Sequence, residues 1–67
     1  MNVFLNDQLL NVEEDTNIDE LLSFQFLSEN KGFAIAVNDN FVPKSKWKSY
    51  VLSEGDNILL IRATQGG

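Results

Sequence analysis

The last four residues, Thr64-Gln65-Gly66-Gly67, carry the group on this chain best suited to chemistry. Glycine has no Cβ, so Gly66 and Gly67 can adopt backbone angles and enter narrow slots that are closed to other residues. The terminal α-carboxylate is inert toward acyl transfer until a partner activates it. As an acyl-adenylate it would become an electrophile that sulfur or nitrogen can attack. We therefore predict that residues 64–67 are a flexible tail that presents the Gly67 carboxylate to a partner.

Two residue types that often perform catalysis are missing from the composition. The chain has no His and no Cys, so it lacks the common general base, the commonest metal ligand, and any thiolate or disulfide. We expect no catalytic residue, no metal site and no cofactor.

The charge balance limits the classes of partner. Ten acidic and five basic residues give a net charge of −5, whereas nucleic acids and anionic membranes require basic surface. The segment from Lys44 to Tyr50 interleaves lysines with Trp47, a pattern that can bind nucleic acid. The overall charge instead favours a Trp47 that covers one end of the core, with the lysines in solvent.

The length of the apolar runs and the nature of the first residues bear on where in the cell the protein acts. The apolar runs are far shorter than the roughly 20 residues that span a bilayer, and the first residues do not resemble a signal peptide. We expect a cytoplasmic protein that binds neither nucleic acid nor membrane and is a monomer when free.

The elements that would position the tail begin with a hairpin. Asn6-Asp7 favours a two-residue turn because both residues tolerate left-handed backbone angles. The resulting register sets Leu5 opposite Gln8 and turns Phe4 to the opposite face from a group of core residues. That core face carries Val3, Leu5, Leu10 and Val12.

A helix is predicted next. Either Thr16 with Asp19 or Asn17 with Glu20 supplies an N-cap followed by an acidic residue three positions on. Apolar residues then recur at helical spacing, and Gly32 ends the segment. The apolar stripe consists of Ile18, Leu21, Leu22 and Phe26.

The second half of the chain alternates strands and turns. Phe33 to Val37 is a strand that faces the core with Phe33, Ile35 and Val37. Asn38-Asp39-Asn40 is a turn, and Phe41-Val42 is a short edge strand stopped by Pro43, which cannot donate to a ladder.

The last strand is apolar on both faces. After a turn at Ser53 to Asp56 that contains Gly55, it runs from Asn57 to Ala63. Such a strand is central in its sheet or has one face covered by a partner.

Together these elements predict one α+β domain over residues 1–63, with a mixed sheet of four to five strands packed on one helix. The first and last strands can lie parallel at the centre. We expect a core between helix and sheet made of Val3, Leu5, Leu10, Val12, Leu21, Leu22, Ile35, Val37, Ile58 and Leu60.

A partner-binding surface is expected on the other side of the sheet. Phe4, Leu59 and Ile61 should form an apolar patch there, and such patches usually mark protein interfaces. We also expect Arg62 and Gln65, which lie in the sequence between the patch and the terminal glycines, to bind the partner. The alternative is that neighbouring side chains largely cover the three apolar residues.

The chain resembles the ThiS-type sulfur carriers of thiamin biosynthesis, which have the ubiquitin-like β-grasp fold. The matching motifs keep their order and spacing along the whole chain. They are Asn6-Asp7, Thr16 with Glu20-Leu21-Leu22, Ala36-Val37-Asn38, Val42-Pro43-Lys44 with Trp47, Leu52 with Glu54-Gly55-Asp56, and Gln65-Gly66-Gly67.

The resemblance implies a mechanism and partners. A ThiF-type ATP-dependent adenylating enzyme would adenylate Gly67, and a sulfur donor such as a cysteine desulfurase system would convert it to a thiocarboxylate. A thiazole synthase would then take the sulfur into the thiazole ring. The composition fits this role, because a chain without cysteine could carry sulfur only on its terminal carboxyl. The resemblance thus implies a substrate and carrier rather than an enzyme. Lys44 departs from the family, where many members have Arg. Lys keeps the positive charge of Arg but lacks the planar guanidinium fork that makes bidentate contacts.

Three other functions remain open. The related molybdopterin-synthase small subunit also ends in a glycine pair, but it tends to be longer and to have proline shortly before the glycines. A ubiquitin-like modifier would use the tail to form isopeptide bonds with lysines. A plain binding module would leave the tail inert.

Overall fold

The computed structural model describes residues 1–24 and 33–62, except for the side chains of Phe33 and Arg62. Within these residues the chain forms strands, one α-helix and a short 3-10 helix. In order they are β1 (Asn2–Leu5), β2 (Gln8–Asn11), α1 (Ile18–Phe24), β3 (Phe33–Val37), β4 (Asn40–Val42), the 3-10 helix (Lys44–Lys46) and β5 (Asn57–Arg62). In this part of the chain, no helix is long and apolar enough to cross a membrane.

The strands form one mixed sheet in the order β2-β1-β5-β3-β4. β1 and β5 are parallel at the centre, and the remaining neighbours are antiparallel. β4 lies at an edge, as Pro43 predicted. The predicted α+β class and the ubiquitin-like β-grasp arrangement of a sheet on one helix are confirmed.

Both hairpins use an Asn-Asp turn. Asn6 and Asp7 have φ of 50° and 68°, and Asn38 and Asp39 have φ of 51° and 71°. Positive φ at both central residues is the two-residue turn that matches the twist of the flanking strands. The first hairpin has the predicted register. The second turn is shorter than predicted, because Asn40 already pairs with Val37 as part of β4.

The helix begins with a reciprocal cap between Asn17 and Glu20. The Glu20 N–H donates to Asn17 Oδ1 at 2.7 Å, and the Asn17 N–H donates to Glu20 Oε1 at 3.0 Å. The second of the two predicted caps is therefore correct. Thr16 donates its hydroxyl to the Glu13 carbonyl at 2.7 Å instead. The predicted Phe26 and Gly32 lie outside the described residues.

The core lies between α1 and the sheet. Its buried members come from every part of the domain, and they are Val3, Ile18, Leu21, Leu22, Ile35, Val37, Val42, Trp47, Leu52 and Ile58. Trp47 closes one end as predicted, 1% exposed, and its Nε1–H donates to the Val42 carbonyl at 3.0 Å.

The predicted core is confirmed, since its ten residues are either buried in the core or packed against it. Four of its members are only partly buried against the core, namely Leu5, Leu10, Val12 and Leu60. Leu10 belongs to the edge strand β2, and Val12 follows it, so no described strand lies beyond them on one side. Leu5 ends β1, and Leu60 lies beyond that end.

Candidate functional site

The strand that leads to the tail divides its apolar residues between two faces. Ile58 is 0% exposed beneath the helix, whereas Leu59 and Ile61 are 48% and 50% exposed. Phe4, on the neighbouring strand β1, points to the same outer side and is 39% exposed. The three residues predicted to form the patch are therefore all exposed on the sheet face opposite the helix.

Strand register extends this surface across all five strands. Phe4 pairs with Leu9 of β2. On the other side, Leu59 pairs with Ala36 of β3, and Ala36 pairs with Phe41 of β4. Leu9 and Phe41 are both well exposed. We call the set Phe4, Leu9, Phe41, Leu59 and Ile61 the outer apolar face.

Leu9 and Phe41 were missed by sequence reasoning, although signals for both existed. The hairpin register that turns Phe4 outward also places Leu9 opposite it. Phe41 precedes the buried Val42, and successive side chains of a strand point to opposite faces. Extending the alternation of side chains to the strands at both edges of the sheet would have predicted both residues on the outer face.

The outer side of the sheet carries no charged residue at any described strand position. Its other outward-facing positions hold only asparagine and alanine, at Asn2, Asn11, Ala34, Ala36 and Asn57. Burying an unpaired charge costs far more than burying an amide or a methyl group. A partner with an apolar surface could therefore cover this face without stripping water from any ion.

β1 and its turn form hydrogen bonds with β5 and with the residue just before it. The Phe4 N–H donates to the Asp56 carbonyl at 2.8 Å, and the Asn6 N–H donates to the Ile58 carbonyl at 2.9 Å. The Leu60 N–H donates to Asn6 Oδ1 at 2.9 Å. A side chain therefore supplies the bond at Leu60, beyond the end of β1.

A second group of contacts fixes the start of β5. Gly55 has φ of 83° in the turn, as predicted, and its N–H donates to the Asn2 carbonyl at 2.7 Å. Asn38 Oδ1 accepts from the Asn57 N–H at 3.0 Å, and Asn38 Nδ2 donates to Asp56 Oδ1 at 3.0 Å. These bonds define where the strand that carries Leu59 and Ile61 begins.

The predicted sulfur-carrying terminus, Gly66 and Gly67, lies outside the described residues, and so does Gln65. Arg62 closes β5, where its backbone pairs with Phe33. The boundary at residue 63 and the tail at 64–67 therefore stay predictions. Among residues 1–24 and 33–62, no three acidic side chains form a cluster that could hold a metal ion.

Comparison with known proteins places this architecture in a family. The family model described as "ThiS family" matches residues 2–67. The chain is 33% identical over 67 residues to the sulfur carrier protein ThiS of Escherichia coli (strain K12), and the match covers all of both chains.

Two solved structures share the fold. A crystal structure of the thiamine biosynthesis protein ThiS from Geobacter metallireducens superimposes with a TM-score of 0.86 at 22% identity, covering all of both chains. A solution NMR structure of a thiamine biosynthesis protein from the same organism gives 0.77 at 22% identity, covering all of this chain and 88% of that one. The family-model match and the full-length relative together show that this chain belongs to the ThiS family.

Proposed function

We propose that this chain is a sulfur carrier for thiazole formation in thiamin biosynthesis, and that the Gly67 carboxylate carries the sulfur. The observation that carries the proposal is the full-length match to a sulfur carrier protein, at 33% identity. The composition supports it, because a chain with no cysteine offers sulfur no thiol.

The chemistry proceeds by activation of the terminal carboxylate. An oxygen of the Gly67 carboxylate attacks the α-phosphorus of ATP on a ThiF-type adenylating enzyme, pyrophosphate leaves, and an acyl-adenylate forms. A persulfide on a sulfur donor, such as a cysteine desulfurase system, attacks the acyl carbon and releases AMP, which leaves an acyl disulfide. A thiol of the donor system then reduces the S–S bond, forms a disulfide with the donor sulfur, and frees the thiocarboxylate. A thiazole synthase receives that sulfur. The carrier supplies the electrophile in this sequence, and its partners supply the catalytic groups.

The outer apolar face is the docking surface for the activating enzyme in this proposal. Its support is exposure, the lack of charge across the described strand positions, and continuity with the tail. Leu59 and Ile61 lie on β5, and the last five residues, 63–67, follow β5 directly in the sequence. Fully extended, those residues reach about 16–18 Å. A partner that holds this face can therefore receive the carboxylate in a recessed nucleotide site nearby, with Arg62 and Gln65 along the path.

Removal of the terminal residue tests the carrying group. A chain that lacks Gly67 should give no thiocarboxylate, as read by ATP–pyrophosphate exchange with the activating enzyme and by intact mass. Its thermal unfolding should match that of the full chain, because no core side chain is lost. Replacing Gly66 with a bulky residue should slow adenylation by steric exclusion in a site shaped for glycine.

Intact mass of the protein from its native cell separates the carrier from the modifier. A mass gain equal to the exchange of one oxygen for sulfur supports the carrier, whereas a ladder of protein adducts in the extract would support a ubiquitin-like modifier. Normal activation of the chain that lacks Gly67 would contradict the proposal outright.

Charge placed on the outer apolar face tests the docking surface. Ile61→Asp and Leu59→Asp should each weaken binding to the activating enzyme about tenfold or more, since a desolvated charge would face an apolar partner. Val51→Asp is the matched control, because Val51 is 51% exposed but lies outside the five-stranded sheet. Calorimetric titration measures each affinity. Equal binding by Ile61→Asp and the parent chain would remove this face from the proposal.

A further inference from the structure

The two central strands of the sheet end at different points. Leu5, the last residue of β1, pairs with Ile58 of β5, and β5 continues to Arg62. On its other side, β5 stays paired with β3 up to the Phe33–Arg62 pair. The part of β5 nearest the tail therefore has a strand on one side only, within the part of the chain that the structure describes.

Asn6 extends the ladder on the open side although its backbone has already turned away. Its φ is 50°, so the chain reverses there into β2. Its N–H still donates to the Ile58 carbonyl, and its Oδ1 accepts from the Leu60 N–H, both at 2.9 Å. In a continued parallel ladder a backbone carbonyl would accept from Leu60. The Asn6 side chain takes that place, as asparagine side chains can in turns.

The direction of this bond matters for the residues that follow. Hydrogen-bonding groups alternate along a strand, and the bonds at Ile58 and Leu60 face β1. Without the acceptor on Asn6, β3 alone would hold β5 after Ile58. The direction in which β5 runs beyond Leu60 would then be less well fixed.

We propose that Asn6 is a positioning residue: its side-chain oxygen sets the direction in which β5 delivers the tail to the activating enzyme. The inference rests on the proposed function. Reacting groups must be held close to the productive geometry, and a misplacement of about 1 Å can cost about a hundredfold in rate. The Asn6 contact acts two residues before the end of β5.

Asn38 is a natural control within the same molecule. It occupies the same position in the other Asn-Asp turn, with φ of 51°, and its Oδ1 also accepts from an N–H of β5, that of Asn57 at 3.0 Å. It holds the first residue of β5 rather than a residue near the end. Both asparagines support the fold locally, but only Asn6 is placed to aim the tail.

The experiment compares Asn6→Gly with Asn38→Gly in the full-length chain. Glycine accepts positive φ without strain, so both variants keep the turn and lose the side-chain acceptor. With the activating enzyme, Asn6→Gly should lower kcat of ATP–pyrophosphate exchange about tenfold or more, while KM for the carrier changes less than about threefold because no side chain of the outer apolar face is changed. Asn38→Gly should leave both constants within about twofold.

Two further variants complete the test. Asn6→Asp keeps the acceptor oxygen and should restore kcat to near the parent value. Asn6→Ser, whose oxygen is one bond shorter, should behave like Asn6→Gly and serves if the glycine variant does not fold. Unchanged kcat in Asn6→Gly or Asn6→Ser, or equal losses in the Asn6→Gly and Asn38→Gly variants, would overturn the inference. An inactive parent chain would instead overturn the proposed function, and the positioning role with it.

Discussion

Ile58 and Leu59 are adjacent residues of β5 that lie in opposite environments. Ile58 is 0% exposed under the helix, and Leu59 is 48% exposed on a face that carries no charge at any described strand position. An antiparallel or mixed sheet covered on one side usually turns polar residues to the other side. The inner residues are explained by folding alone, but the outer ones are not.

The contrast separates the residues that stabilise the domain from those available for binding. A domain near this size buries only about 60% of its unfolded surface, so its core is small. Apolar residues that remain outside this core add little to stability, and a contiguous exposed patch marks an interaction site. On a chain of net charge −5, a sheet face with only asparagine and apolar residues therefore points to an apolar partner surface.

The strongest test of the comparison removes the inner residue. Ile58→Ala should lower the free energy of unfolding by about 2–5 kcal/mol, because it leaves a cavity in a packed core. That is a large part of the roughly 5–15 kcal/mol that holds typical domains folded. Urea denaturation followed by circular dichroism measures the loss. A loss no larger than that of an outer-face alanine variant would contradict the assignment of the two faces.

An intermediate loss in the free energy of unfolding is expected for a residue at the margin of the inner face. Leu60 packs against the core but is only partly buried, so Leu60→Ala should cost about 1–3 kcal/mol, less than the change at Ile58. The same denaturation experiment ranks the two variants. The reverse order would mean that burial in the described structure does not control stability along this strand.

A smaller loss in the free energy of unfolding is expected for a change at the start of the helix that covers the inner face. Asn17→Ala removes the acceptor for the Glu20 N–H and should cost about 1 kcal/mol. Asn11→Ala is the control, because Asn11 is exposed and its side chain bonds only to that of Asn2 among the described residues. The free energies of unfolding of the two variants should differ; if they are equal, the cap does not stabilise the helix.

The turns could be predicted from the sequence because their causes are local. Asn6-Asp7 fixes its own backbone, and that turn determines the register of the first hairpin. The sequence left two candidates for the N-cap of the helix, Thr16 and Asn17. Contacts with distant residues favour Asn17: its backbone forms a β-bridge with Val51, and its Nδ2 donates to the Lys48 carbonyl at 3.1 Å.

The limits of the core and of the patch were harder to predict because they depend on distant strands. Whether Leu10 is buried depends on what lies beyond β2, and nothing in its own neighbourhood in the sequence shows that β2 is an edge. Phe41 joins the outer face only because β4 pairs with β3, which pairs with β5. The role of Asn6 toward Leu60 joins residues 54 positions apart in the sequence, a contact that the turn pattern alone does not indicate.

The smallest change in stability should come from the outer neighbour of Ile58. Leu59→Ala removes an exposed side chain and leaves no cavity, so the free energy of unfolding should change by no more than about 0.5 kcal/mol. The same variant should bind the activating enzyme more weakly, by about fivefold or more, because truncation of a contact residue loses apolar area that only the complex buries. Denaturation and calorimetric titration of one preparation give both values. If Leu59→Ala lowered stability but not affinity, Leu59 would stabilise the domain rather than bind the partner. The proposed contrast between Ile58 and Leu59 would then be wrong.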